Sequence, residues 1–386
     1  MAYSDDAKPL TGRPFEWLTA EEQEEATRTS HGVAIALLAA HFAAYFITLY
    51  LALAPMPGPG WLGLTLNIFF AVLNGWAIGL LFVIGHDSFH DGFAPSRLAN
   101  QIIGRMVFIP CAHAAGHWEI WHNKNHHGKT NFRGVDAVWR PMDLEEYRAA
   151  SPLRRFMERL YRGPAGSFFY YYIEVWAPHL LLPIDKDMRK HWRRLMPDTI
   201  LTIGGLLLTI AAILAAGKAI FPERSYLTIF LVGWFIPFSY WNYMAGFSSY
   251  VQHTHPNVHW YEDPKEWSFY RAAIEGTTHV EMPTPWLVLY QNAMEHTVHH
   301  ALPNVPSLTQ RKAQAKLLAK YGDAVTKVKF SFPAYWAITK ACKLYNYKDH
   351  YWMDFEGNQT GPKMTIDPAA PVVRATRRQA AAAEAV

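Results

Sequence analysis

Apolar residues in this chain are concentrated in blocks. Four of them run over 32–54, 61–85, 199–221 and 226–250. Each exceeds the about 20 residues that a helix needs to cross a hydrocarbon core of about 30 Å. None carries Asp, Glu or Arg in its interior, and Lys218 lies near an end from which it can snorkel to the interface. The pattern predicts four transmembrane helices. They pair into two hairpins, joined by the uncharged linker 55–60 and by the equally short 222–225, so both hairpin loops lie on one side. Two shorter apolar stretches, 98–112 and 167–184, read as re-entrant or interfacial segments, and Phe168-Phe169-Tyr170-Tyr171-Tyr172 reads as an aromatic belt at the lipid interface.

Composition sharpens this picture. The 386 residues are 51% hydrophobic and 15% aromatic, yet mean hydropathy is −0.07, which implies a sizeable polar part outside the membrane. The expected architecture is an all-α integral membrane protein: four transmembrane helices in two hairpins plus a cytosolic helical cap. A polar segment over 1–30 precedes the membrane domain at 31–320. A cytosolic segment (321–361) and a disordered Pro/Ala/Arg-rich tail (362–386) follow. The polar start, with Glu21, Glu22, Glu24 and Glu25, is unlike a cleavable signal peptide. Arg154, Arg155, Arg189, Lys190, Arg193 and Arg194 crowd the segment between the hairpins, whereas the hairpin loops have almost no basic residues. The positive-inside rule therefore puts that segment and both termini in the cytoplasm. The chain ends Glu384-Ala385-Val386 without an ER-retrieval signal, which points to a bacterial inner membrane. The net charge of +4 is modest and spread out, and gives no reason to expect nucleic acid. Cys111 and Cys342 lie in unrelated contexts and form neither a disulfide framework nor a thiolate metal site.

The 19 histidines are the anomaly, and their positions carry the chemistry. His86-Asp87-Ser88-Phe89-His90 is an H-x3-H, His122-Asn123-Lys124-Asn125-His126-His127 an H-x3-HH, and His296-Thr297-Val298-His299-His300 an H-x2-HH. Gln252-His253-Thr254-His255 is a fourth candidate, at the end of the last apolar block. Residues i, i+3 and i+4 share one helix face, so each cluster can aim two or three imidazoles at one point, and all fall on one side of the membrane. Eight imidazoles are too many for one metal. Neutral imidazole suits Zn, Cu, Fe or Ni, a structural zinc needs only four ligands, and two irons, each with an exchangeable position for oxygen, are the economical reading.

Isolated histidines have blander explanations. His31, His41, His191 and His350 are expected at the surface or as satisfied core residues, His179 at the interface, and His113, His117, His259 and His279 in supporting structural roles. Asp87, Asp91, Asp136, Asn125, Glu119 and Glu295 are near enough in sequence to orient the imidazoles by accepting their free N–H, or equally to be solvated.

With these motifs the sequence resembles the membrane fatty acid desaturase family, most closely its acyl-lipid, delta-12/omega-6-like branch. The resemblance rests on Gly85 with the first box, on Trp121 with the second and Thr130-Asn131 after it, on Tyr250-Val251-Gln252-His253-Thr254-His255-Pro256, and on the third box followed by Pro303-Asn304-Val305-Pro306. It covers about residues 30–320. It implies a di-iron centre ligated by His86, His90, His122, His126, His127, His296, His299 and His300, with His253 as the ninth ligand and His255 as its rival. It also implies O2 as co-substrate, a fatty-acyl substrate drawn from the membrane into an apolar tunnel, and an external electron donor of ferredoxin, rubredoxin or cytochrome b5 type. Two features depart from the family pattern and bear on substrate and regiochemistry: the second box has three residues before its HH where many relatives have two, and Glu281-Met282-Pro283-Thr284-Pro285-Trp286 is unlike the branch.

Rival readings are a hydroxylase or ketolase on the same scaffold, or a desaturase of a non-fatty-acyl metabolite. More remote is a membrane b-type haem carrier, because apart from His41 the four blocks hold no histidine. A metal transporter would want polar ligands at mid-membrane depth, and a zinc protease would show H-E-x-x-H.

Overall fold

The computed structural model of the protein describes residues 17–365 together with the backbone of 13–14 and 373–374. The start of the polar segment and most of the expected tail lie outside the described residues. The described residues are mostly helical, and among them three helices are long and apolar enough to cross a membrane, within Ala20–Leu53, Gly60–Phe89 and Trp192–Ile220.

The first two pack as a hairpin, His31–Leu53 against Gly60–Phe89. Their apolar faces offer little discrimination in lipid, so polar side chains fix the pairing. Asn67 donates to the carbonyls of Ala52 (2.9 Å) and Ala54 (2.8 Å), and Asn74 to those of Tyr45 (2.7 Å) and to Thr48 Oγ1 (3.0 Å). Arg224, in the loop of the second hairpin, donates to the Ala54 carbonyl and to Asn67 Oδ1. The two hairpin loops therefore meet on one side.

The third long helix begins at Trp192, earlier than the apolar block does. The extra turns carry Asp198, whose carboxylate is matched by the Arg105 guanidinium (2.9 Å) and the Gly116 N–H (2.9 Å). The fourth block is helical throughout but not uniformly wound: Tyr226–Phe230 is α, Leu231–Phe235 is a π turn, and Ile236–His253 is α again. Pro237 lacks the N–H that an α-helix would use and crowds the preceding turn, and the wider π turn just before it accommodates this. Here the fourth block meets the second helix closely. A Cβ on Gly75 would lie 2.5 Å from the Pro237 carbonyl oxygen, so only glycine permits this approach.

The stretch read from 98 is an amphipathic helix, Arg97–Cys111, with Leu98, Ile102 and Met106 exposed at i, i+4 and i+8 and its other face packed on Phe89 and Gly85. The stretch from 167 is an α turn, Gly166–Tyr170, running into a π-helix, Tyr171–Leu181. Its aromatic run is not a uniform belt. Tyr170 and Tyr171 are buried and hydrogen-bonded inward, Tyr170 to the Ala137 carbonyl and Tyr171 to His113. Helical winding turns neighbouring residues to different faces, so a run of five aromatics cannot all face lipid.

The helices, which agree with an all-α architecture, are accompanied by short strand pairs. Thr278–Glu281 pairs in parallel with Thr326–Lys329, Leu344–Asn346 pairs antiparallel with Tyr351–Met353, and Arg13–Pro14 lies beside Val373–Arg374. Runs of two to four residues are too short for a period to show.

Candidate metal centre

Four elements deliver the histidines. The Gly60–Phe89 helix carries His86 near its end and His90 as its C-cap residue. The Ile236–His253 helix ends on His253. A short helix, His296–Ala301, carries the third box, and its first turn is held by the Val298 N–H on Gln314 Oε1 (2.8 Å) and by Thr297 Oγ1 against Thr277 Oγ1 (3.0 Å).

The second box lies on a π-helix, Glu119–His127. In an α-helix His127 would point well away from His122. A π-helix has about 4.4 residues per turn, so i, i+4 and i+5 fall on one face much as i, i+3 and i+4 do in an α-helix. The wider winding absorbs the additional residue in H-x3-HH and returns His122, His126 and His127 to a common side.

The histidines gather into two groups. His86, His90, His122, His127 and His299 have ligand atoms all within 4.8 Å of one another, and so do His126, His253, His296 and His300. The groups adjoin, with the rings of His127 and His300 stacked at 4.3 Å. His255 belongs to neither. It is half-buried, and its Nδ1 accepts the Asn257 N–H at 3.1 Å.

Hydrogen bonds behind the rings decide their tautomers. The Asp136 carboxylate accepts from His126 Nδ1 (3.0 Å), Asn131 N (2.8 Å) and Val138 N (2.9 Å). Thr130 donates its hydroxyl to the His126 carbonyl (2.6 Å), so its oxygen must accept from His300 Nδ1 (3.1 Å). Asp87 faces His86 Nδ1 at 3.3 Å and accepts the Ser307 N–H at 2.8 Å. Each leaves an Nε2 lone pair aimed inward. These lone pairs converge: His296 Nε2 lies 2.7 Å from His253 Nε2 and 3.0 Å from His300 Nε2, and His122 Nε2 lies 3.1 Å from His127 Nε2 and 3.3 Å from His86 Nε2. Neutral imidazoles have one N–H each and cannot satisfy such a cluster among themselves. Ligands on adjacent sites around one ion at 2.0–2.1 Å stand about 3 Å apart, so the donor set fits bound metal. Both nitrogens of His90 and of His299 are buried without a hydrogen-bond partner, as metal donors would be. Desolvation, and then the neighbouring imidazoles, hold His90, His122, His127, His296, His299 and His300 well below the ordinary imidazole range, in the neutral form that a metal requires.

Of the six supporting residues considered from sequence, Asp87 and Asp136 reach the cluster. Glu119 instead accepts from Gln101 (3.0 Å), and Glu295 faces His279 (3.3 Å). Asp91 and Asn125 make no hydrogen bond to the histidines among the described residues. Three of the isolated histidines are held by protein partners: His117 bridges the His179 carbonyl and Thr199, His259 meets the Tyr345 hydroxyl, and His41 is buried on the Leu37 carbonyl. Thr130 and Trp118, whose indole stacks on His122 at 3.9 Å and 25°, were not legible as parts of the site. Thr130 stands out only as part of the motif that follows the second box, and nothing in its local sequence marks Trp118.

A cavity of about 1090 Å³, counting its open mouth, reaches this cluster. Trp76, Leu80, Val83 and Tyr290 line it together with Trp118, Trp241, His86 and His299. Its walls are predominantly aromatic and aliphatic, which suits an apolar ligand.

Imidazoles gathered beside apolar helices, in two groups that could hold metal, define a class, the histidine-rich membrane proteins. Within that class the chain belongs to the fatty acid desaturase family, whose sequence model matches residues 59–331. Its similarity is to the omega-6, delta-12-like members. It is 28% identical over 284 residues to the chloroplastic omega-6 fatty acid desaturase of Spinacia oleracea, covering 73% of this chain and 60% of that protein. It is 28% identical over 292 residues to the sn-1 oleoyl-lipid 12-desaturase of Picosynechococcus, covering 74% and 79%, and 26% identical over 286 residues to that of Synechocystis, covering 72% and 76%. The match thus spans less than two thirds of the spinach protein's own length.

Proposed function

We propose that this protein introduces a double bond into the fatty-acyl chain of a membrane lipid, with O2 as oxidant and two histidine-bound irons. The observation that carries this reading is the pair of convergent imidazole groups, five and four, opening onto one apolar cavity. His86, His90, His122, His127 and His299 would hold one iron, and His126, His253, His296 and His300 the other. When bound, the irons supply the oxidising power that breaking an unactivated C–H bond requires and that no side chain has.

The protein's own residues do the rest. Asp136, Thr130 and Asp87 hold three imidazoles in the tautomer that presents Nε2. Trp118, Trp241 and Phe82 form an apolar wall beside the metals that excludes water and confines the methylene chain. Confinement matters because a flexible chain must offer one C–C bond within reach, and positioning can remove a large part of a barrier.

The same reading takes the fourth block as a fourth membrane span. His86 lies 26 residues beyond Gly60 and His253 27 beyond Tyr226, about 40 Å along each helix at 1.5 Å per residue. A hydrocarbon core is about 30 Å thick, so both ligands emerge past it, opposite the hairpin loops. With the basic central segment on that side, the centre and both termini face the cytoplasm, as in a bacterial inner membrane. Electrons come from a separate ferredoxin, rubredoxin or cytochrome b5-type donor.

The test is the fatty-acid profile of a host expressing the protein beside its His299→Ala variant. A new double bond that disappears in the variant is expected. A hydroxy or keto product would move the function to the oxygenase rival. No new product from folded, iron-loaded protein with a working donor would refute fatty-acyl desaturation.

A further inference from the structure

Tyr171 and His113 form a buried pair that desaturation as described does not use. The Tyr171 hydroxyl lies 2.8 Å from His113 Nε2, and His113 Nδ1 lies 2.6 Å from the Cys111 carbonyl oxygen. A carbonyl only accepts, so Nδ1 carries the proton, Nε2 is bare, and Tyr171 donates its O–H to Nε2. Burial keeps the phenol well above its ordinary range and the imidazole down at about 4. The proton therefore stays on Tyr171 unless an electron leaves the ring with it.

A path for that electron is present. The Trp118 indole, stacked on His122, has its ring centre 5.9 Å from that of His113, which is 6.1 Å from the Tyr171 ring and nearly parallel to it. These aromatic rings, in van der Waals succession, join Tyr171 to a histidine of the five-membered group. Trp118 on this path, and Trp241 beside His113, can serve for transit only. The indole N–H groups of Trp118 and Trp241 are buried without an acceptor, so neither can shed a proton when oxidised. Tyr170, next in sequence, has only a carbonyl acceptor, a far weaker base than imidazole. Tyr171 has a nitrogen base, and it lines the cavity itself.

We propose that Tyr171 and His113 form a redox relay that takes up the centre's oxidising equivalent when no acyl C–H bond is within reach, sparing the histidine ligands. It rests on the di-iron reading above. The oxidant is O2 reduced at the metal pair with electrons from the external donor. Tyr171 loses one electron through His113 and Trp118 to the oxidised centre. Its O–H bond breaks, and the proton passes to His113 Nε2, giving an imidazolium that still donates Nδ1–H to the Cys111 carbonyl. The phenoxyl radical is quenched by one electron from the donor and by return of that proton.

The experiment uses full-length protein loaded with iron, reduced with dithionite, and mixed with oxygenated buffer without acyl substrate. Samples are frozen within seconds for electron paramagnetic resonance. An organic radical signal is expected, narrowing when the protein is made with ring-deuterated tyrosine and lost in Tyr171→Phe. Mass spectrometry of the same samples should show several-fold more oxygen addition on Trp118 and the box histidines in Tyr171→Phe. Iron-loaded protein with no radical, a radical unaffected by deuterated tyrosine, or equal oxidation in the variant would overturn the relay alone. The isotope arm needs no substitution, so it stands even if the variant misfolds. Protein that binds no iron through its histidines would overturn the metal reading and the relay together.

Discussion

The two histidine groups are held in different ways. In the four-membered group, His126 rests on a buried carboxylate that also accepts two backbone N–H groups, and His300 rests on Thr130. In the five-membered group, among the described residues, the one such anchor is Asp87 on His86, at 3.3 Å, and His90 and His299 have no hydrogen-bond partner on either nitrogen. The protein thus anchors two rings of the four-membered group, and among the described residues one ring of the five-membered group; on the di-iron reading proposed above, the metal would have to orient the others. Asp136 is buried, and three donors keep its carboxylate in place. The difference teaches that a ligand count alone does not describe a site, because the atoms behind the ligands determine how much order the metal must impose.

Removing ligands breaks the comparison most severely. His299→Ala in the five-membered group and His296→Ala in the four-membered group should each abolish product and lower bound iron by about one per chain, read by elemental analysis of purified protein. Next comes the support. Asp136→Asn should weaken iron binding by about 10–100-fold, roughly 1.4–2.8 kcal/mol, whereas Asp87→Asn should cost less than about tenfold. Equal losses in a chelator titration would show that the two groups are held alike.

Acid should act on both groups. Their buried imidazoles have folded-state pKa values well below the ordinary one, whereas in the unfolded chain they titrate near about 6.5. Below that pH the unfolded state binds more protons, so the stability of metal-free protein falls as pH drops from about 6.5 and is fully present above it. Denaturant unfolding of the metal-free protein should show this slope. His299→Ala should flatten it by about one proton, or about 1.4 kcal/mol per pH unit. Stability that is flat between pH 8 and pH 5 would contradict it. The smallest effect belongs to His255→Ala, expected to change iron content and product by less than about twofold. A loss as large as that of His253→Ala would give His255 a ligand's part.

Parts of this molecule were legible because they are local. Four apolar blocks announced helices, since composition over 20 residues needs no partner to be read. The spacing of His86 and His90, or of His296, His299 and His300, places rings on one face wherever the helix ends up. Other parts were not legible. Asp136 and Glu119 are both acidic residues near the second box, yet one anchors His126 and the other meets Gln101, a difference made by where distant segments pack. The π winding over Glu119–His127 leaves no periodic signal in nine residues, although it explains the spacing of the second box. Tyr171 read as part of a lipid-facing run because neighbouring aromatics look alike until the helix turns one of them onto His113.

The sequence by itself determined the donor chemistry, the helices and the presence of three histidine boxes, since all of these follow from residue type and short-range spacing. Only the tertiary structure divided nine histidines into five and four, separated His253 from His255, opened a cavity onto them, and brought Trp118 and Tyr171 alongside. Those are contacts between residues tens to hundreds of positions apart, and they are decided by how whole helices pack and not by any pattern along the chain.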